Sequence, residues 1–159
     1  MLCAMPPATS LSQYALLTST LGYALITVPA RPSRASSLEI TSRNKLLSAL
    51  HATLVSISAL YILHDHHVWP VAAAAPDLIT TRDERANALT VLEAGYLAHD
   101  TVALLVGASK QGGMGQIDPV MMTHHVGIGT ALAILQWYIR KGKERGVLII
   151  VMFLLMNAS

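Results

Sequence analysis

The sequence predicts an all-α polytopic transmembrane helix bundle, and three observations predict it. Hydrophobic residues make up 53% of the 159 positions and charged residues only 13%, with a mean hydropathy of +0.49, where a water-soluble domain carries about 25% charged residues. The apolar residues come in runs of about 18 to 20, the length that crosses a hydrocarbon core of roughly 30 Å. Within those runs the ionisable residues recur at helical spacing, so each helix hides its polar groups on one face.

The first run, 11–28, is diluted by Ser12, Gln13, Thr18, Ser19 and Thr20. No basic residue precedes it and it is longer than the apolar region of a secretory signal, so it reads as a retained first helix within an N-terminal segment 1–39. Further spans are expected at about 46–63, 88–106 and 120–138, with a fifth starting at 147. The fifth run is too short to cross a bilayer, so the chain is expected to end inside that span. Loops are marked by Pro29 and Pro32, by Pro70 and Pro76, by Gly112, Gly113 and Gly115 before Pro119, and by the charged stretch 140–146. The segment Trp69 to Ala75 is too short to span and is expected to lie at the interface. Counting Lys and Arg gives no single orientation, because Arg31, Arg34, Arg43 and Lys45 compete with Arg140, Lys141, Lys143 and Arg145 on the opposite face.

Composition also excludes functions. A formal charge of +2 from residues scattered over several loops makes no stripe for nucleic acid. Cys3 is the one cysteine, which rules out an intrachain disulfide and a thiolate metal cluster.

An ionisable residue in a span costs about 2.5 to 3.5 kcal/mol at its centre, so each marks a candidate site. In the second span Asn44, Ser48, His51, Val55 and Ser58 share one face, which must look into the bundle. In the third, Glu93, Tyr96 and Asp100 do the same, with His99 turned about 100° away. The fourth opens with His124 and His125, whose rings splay by about 100°, so that one can face a cavity while the other meets a neighbour. Gly127, Gly129, Ala131 and Ala133 follow, small residues of the kind that admit a close helix. The group His64, Asp65, His66 and His67 lies at the water interface, where histidine is cheap. No metal or other cofactor is assigned to it or to the chain. A di-metal oxygenase would need repeated HxxxH and HxxHH spacing, which the seven histidines lack. A proton-coupled transporter using bundle His and Asp is a further class that such residues suit.

Three stretches together resemble the TLC-domain family of multi-spanning membrane proteins, which includes the ceramide synthases. They are RNKLLSALHATLVS (43–56), GYLAHD (95–100) and DPVMMTHHVGIG (118–129), and the closing FLLMNAS (153–159) is similar to the family's fifth-helix segment. The likeness makes residues 40–159 a partial TLC domain. It implies a lipid substrate or ligand, a role in membrane-lipid homeostasis, and a location in the endoplasmic reticulum or another endomembrane. In ceramide synthases a His pair leads into a helix with paired aspartates that serve acyl transfer from acyl-CoA. His124 and His125 match the start of that motif, but no Asp follows Asp118, so the chain is placed nearer the small TLC-domain proteins. The expected lipid-facing or cavity-facing residues are His51, Glu93 and Tyr96. The alternative is an acyltransferase using His124 and His125 as bases with Asp100 as orienter and acyl-CoA as the second partner.

Overall fold

The computed structural model describes residues 22–23, 37–68, 77–110, 117–143 and 145–157. The expected first span, apart from the helical Gly22 and Tyr23, lies outside these residues, as do the Trp69–Ala75 segment and the glycines at 112–115. The described chain is helical without strands: α1 (Ser37–Asp65), α2 (Glu84–Lys110), α3 (Pro119–Arg140) and α4 (Val147–Asn157). Helices α1, α2 and α3 contain the spans expected there, α1 and α2 running a turn or more beyond them at one end or both, and α4 begins at Val147, where the fifth span is expected.

Two helices, over Ser42–Asp65 and Glu84–Ser109, are long and apolar enough to cross a membrane. Their outer faces match that reading. On α1 the residues Leu47, His51, Val55, Ala59 and Ile62 are buried along one stripe, while Leu46, Leu50, Leu54, Ile57 and Leu60 are exposed on the other. A helix apolar on both faces has no water-facing side and suits lipid.

Helix α1 packs on α2 and α4, and α2 packs on α3 and α4. The first core layer joins Val55, Ala59 and Ile62 of α1, Leu89 of α2 and Leu148 and Val151 of α4. A second joins Leu47, Tyr96, Leu97 and Leu132 with Tyr23, and the polar centre lies beside it. Because α1 and α3 end where α2 and α4 begin, residues 66–68 and 77–83 share one end of the bundle with residues 141–143 and 145–146. There the Gly146 N–H donates to the Ile79 carbonyl at 2.7 Å.

Local chemistry fixes the helix ends. Asp83 caps α2, its Oδ1 accepting from the N–H groups of Arg85 at 2.7 Å and Ala86 at 2.9 Å. Asp118 caps α3 by accepting from Val120 N–H at 2.9 Å, with Pro119 in the first turn, where a missing N–H costs nothing. Helix α3 closes with the Lys143 N–H on the Tyr138 carbonyl and the Gly142 N–H on the Ile139 carbonyl, Gly142 taking a φ of 66°. Helix α1 closes the same way, Val68 N–H on Leu63 and His67 N–H on His64, but there His67 holds the left-handed position at φ 55°.

The cluster at 64–67 serves this end. His66 Nε2 bonds Asp83 Oδ2 at 2.7 Å, and Arg85 bridges Asp65 at 2.6 Å and Asp83 at 2.8 Å. Among the described residues no group of His, Cys, Asp and Glu could hold a metal ion. Burial alone would raise the Asp83 carboxyl, but its bonds from Arg85, the Ala86 N–H and His66 outweigh burial and hold it well below the usual carboxylate range.

Candidate polar site inside the bundle

The side chains singled out on three faces meet in the bundle, and helical spacing is the reason. Residues 44, 48 and 51 of α1 lie one turn apart and face residues 100, 96 and 93 of the antiparallel α2, so the polar groups pair in reverse order. Asn44 Nδ2 donates to Asp100 Oδ1 at 2.6 Å. The hydroxyls of Ser48 and Tyr96 bond each other at 2.6 Å, and His51 Nε2 bonds Glu93 Oε2 at 2.8 Å. Tyr96 also stacks on His51, with ring centroids 3.9 Å apart and planes 15° from parallel.

Helix α3 joins at the Asp100 end. His125 Nε2 lies 2.7 Å from Asp100 Oδ2, and both residues are buried. The other ring nitrogen, Nδ1, lies 2.8 Å from the Met121 carbonyl, which can only accept, so Nδ1 carries a proton. The short bond from Nε2 to a carboxylate oxygen then holds one further proton between the two residues. Both His125 nitrogens are committed.

At the Glu93 end the bookkeeping differs. Glu93 as a carboxylate accepts from His51 Nε2–H, which leaves His51 Nδ1 as an acceptor, and the Tyr23 hydroxyl donates to it at 2.6 Å. Tyr23 meets the ring of Tyr96 edge-on at 5.6 Å and lies 6.1 Å from that of His99. Tyr23 is the participant that sequence reasoning missed, since a tyrosine in a run of apolar and hydroxyl residues carries no spacing signal.

The histidine pair divides. His124 is exposed, with its ring 5.9 Å from that of His125 and edge-on to it, and it takes no part in the buried chain of bonds. Gly127 and Gly129 have no neighbour where a Cβ would stand, and Ala131 and Ala133 are exposed. No described element makes a close approach at these small residues. Inside the bundle, the polar chain is nearly saturated. One atom stands out: Asn44 Oδ1 is buried and accepts no hydrogen bond from the described residues.

A helical bundle with two helices of membrane-spanning length, apolar residues on its outer surface, and His51, His99, Asp100 and His125 buried within it is an integral membrane protein. The chain belongs to the TLC-domain family, whose model matches residues 42–159. All of α2, α3 and α4 and most of α1 fall within that match, and the domain links the chain to lipid metabolism or handling. No curated protein and no solved structure matches the chain.

Proposed function

We propose that this protein binds a membrane lipid through the polar centre between α1, α2 and α3, and that it acts in membrane-lipid homeostasis in the endoplasmic reticulum or another endomembrane. The observation that carries this reading is Asn44 Oδ1. A buried acceptor without a donor costs about 1 to 3 kcal/mol, and here it sits beside Asp100, whose Oδ1 is held by the same amide. A lipid group with a hydroxyl, amide or amine hydrogen satisfies it. Ser48, half-buried on the same face one turn away, offers a second polar contact.

In this reading Asn44, Ser48, Tyr96, Asp100 and His125 form the lipid polar-group site, and His124 stands outside it. Acyl transfer from acyl-CoA with the His pair as base is the weaker account. A base needs a bare nitrogen, and His125 has both nitrogens on accepting oxygens. Expression of the chain and of its His125→Ala and His124→Ala variants, with the lipidome recorded, tests this. A lipid class that shifts with the wild-type chain, is restored by His125→Ala and is unmoved by His124→Ala supports the site. New acyl-amide product that depends on both histidines sinks the binding reading in favour of the transferase. An unchanged lipidome sinks the homeostatic role.

A further inference from the structure

The geometry points to a second chemical centre: we propose that Tyr23, His51 and Glu93 form a nucleophile, base and orienter, with Tyr23 Oη directed at the acyl carbonyl of an ester lipid. The inference rests on the lipid-handling reading for its substrate class but not for its chemistry. Its starting point is the contrast between the two buried imidazoles. His125 has no nitrogen to offer, whereas His51 has one nitrogen held by a carboxylate and the other accepting from a hydroxyl.

A hydroxyl, an imidazole and a carboxylate joined in that order by bonds of 2.6 and 2.8 Å is the arrangement that activates a weak oxygen nucleophile. The carboxylate fixes the tautomer and stabilises the imidazolium that forms, so the hydroxyl proton has a place to go as the oxygen attacks. Each member is held. His51 is buried and stacked on Tyr96, and Tyr23 is wedged edge-on against the same ring. A plain interhelical tie needs only one bond to His51, and this site spends both nitrogens in a directed series.

The chemistry balances as a hydrolysis. As Tyr23 Oη bonds to the ester carbonyl carbon, its proton passes to His51 Nδ1. The ester C–O bond breaks and the departing alcohol takes that proton. Water then attacks the aryl ester, giving a proton to His51 Nδ1, and the acyl–oxygen bond to Tyr23 breaks as Oη recovers the proton. One ester and one water become one alcohol and one acid. An aryl ester is a reactive intermediate because phenolate is a better leaving group than an alkoxide, so the second step is not a trap.

Aryl sulfonyl fluorides test the centre, because a tyrosine oxygen attacks the sulfur, fluoride leaves and the adduct is found by peptide mass spectrometry. Tyr61 and Tyr138 are exposed, at 61% and 44%, and serve as reference tyrosines within the same molecule. The full chain in nanodiscs is treated with a short aryl sulfonyl fluoride and with one bearing a long acyl tail. Tyr23, although only 9% exposed, is expected to label at least about tenfold faster than either reference. Glu93→Gln and His51→Gln are each expected to slow Tyr23 labelling by about a hundredfold, the scale of a lost general base, without slowing the references. The reference rates and circular dichroism show whether each variant is folded, and Glu93→Gln, which keeps the side-chain shape, decides if His51→Gln is not. Tyr23 labelling no faster than the references, or equally fast in folded Glu93→Gln, overturns the proposal. Fast labelling by the short probe with no gain from the tail upholds the triad and counts against the lipid reading alone.

Discussion

At the scale of single residues, the structure turns on what each ionisable side chain bonds. Asp100 sits between an amide donor and an imidazole, and removing either partner leaves a buried carboxylate uncompensated. His125→Gln is expected to cost about 3 to 5 kcal/mol, the usual cost of breaking a buried pair by deleting one member, while His124→Ala stays within about 0.5 kcal/mol because its ring is exposed. Denaturant titration in mild detergent measures both. His67 gives a test of the opposite sign. It closes α1 at φ 55°, where a side chain clashes with its own backbone and glycine does not. His67→Gly is expected to stabilise the chain by about 0.5 to 1 kcal/mol, read by the same titration. The inward faces of Asn44, Ser48 and His51 and of Glu93, Tyr96 and Asp100 were legible because polar residues at i, i+3 or i+4 and i+7 in an apolar helix have one place to go. Which member pairs with which was not, since spacing sets the face of one helix but not its offset along a neighbour. Tyr23 was illegible for a related reason: an amphipathic ring suits lipid, interface and core alike.

At the scale of elements, the helices were legible from run length, and their ends less so. Helices α1, α2 and α3 contain the expected spans, yet α1 and α2 continue into residues that a hydropathy window rejects. Helix α1 extends through Asp65 and α2 starts at Glu84, because caps and ion pairs set ends that hydropathy does not see. The histidine group at 64–67 shows the same thing. His66 and Asp65 tie the end of α1 to the start of α2 through Asp83 and Arg85. Asp83→Ala is therefore expected to cost about 1 to 2 kcal/mol as a lost cap. The acid dependence follows from the depressed carboxyl. Its stabilisation is complete above the unfolded-state value of about 3.9 and is lost as pH falls through the lower folded-state value. Melting temperatures of the wild-type chain should fall as pH drops from about 5 to about 2, and the part of that fall due to Asp83, which begins only below about pH 4, should be missing in Asp83→Ala. The small residues 127–133 admit a close helix, and none of the described elements makes that approach.

For the whole molecule, alternation of the helices places the chain around 82 and 143 at one end of the bundle and that around 45 and 118 at the other. Single cysteines at Arg82, Lys143, Lys45 and Asp118, introduced with Cys3→Ser, are expected to split two and two in labelling by an impermeant maleimide. Three or more on one side would contradict the bundle. The arrangement also explains why counting Lys and Arg gave no orientation, since Arg43 and Lys45 lie at one end of the bundle and Lys141, Lys143 and Arg145 at the other. What the bundle encloses is the central claim: a polar centre kept in an apolar medium for a lipid, not merely to tie helices together. The direct measurement is mass spectrometry of the lipids that stay with the chain when it is extracted into nanodiscs by copolymer, wild type against Asn44→Leu. Leucine is close to asparagine in size and removes the unsatisfied acceptor. The account predicts one lipid class with a hydroxyl, amide or amine hydrogen enriched over the bulk membrane in the wild type and lost in Asn44→Leu with helix content intact; an unenriched lipid profile in both, or equal enrichment in both, would contradict it.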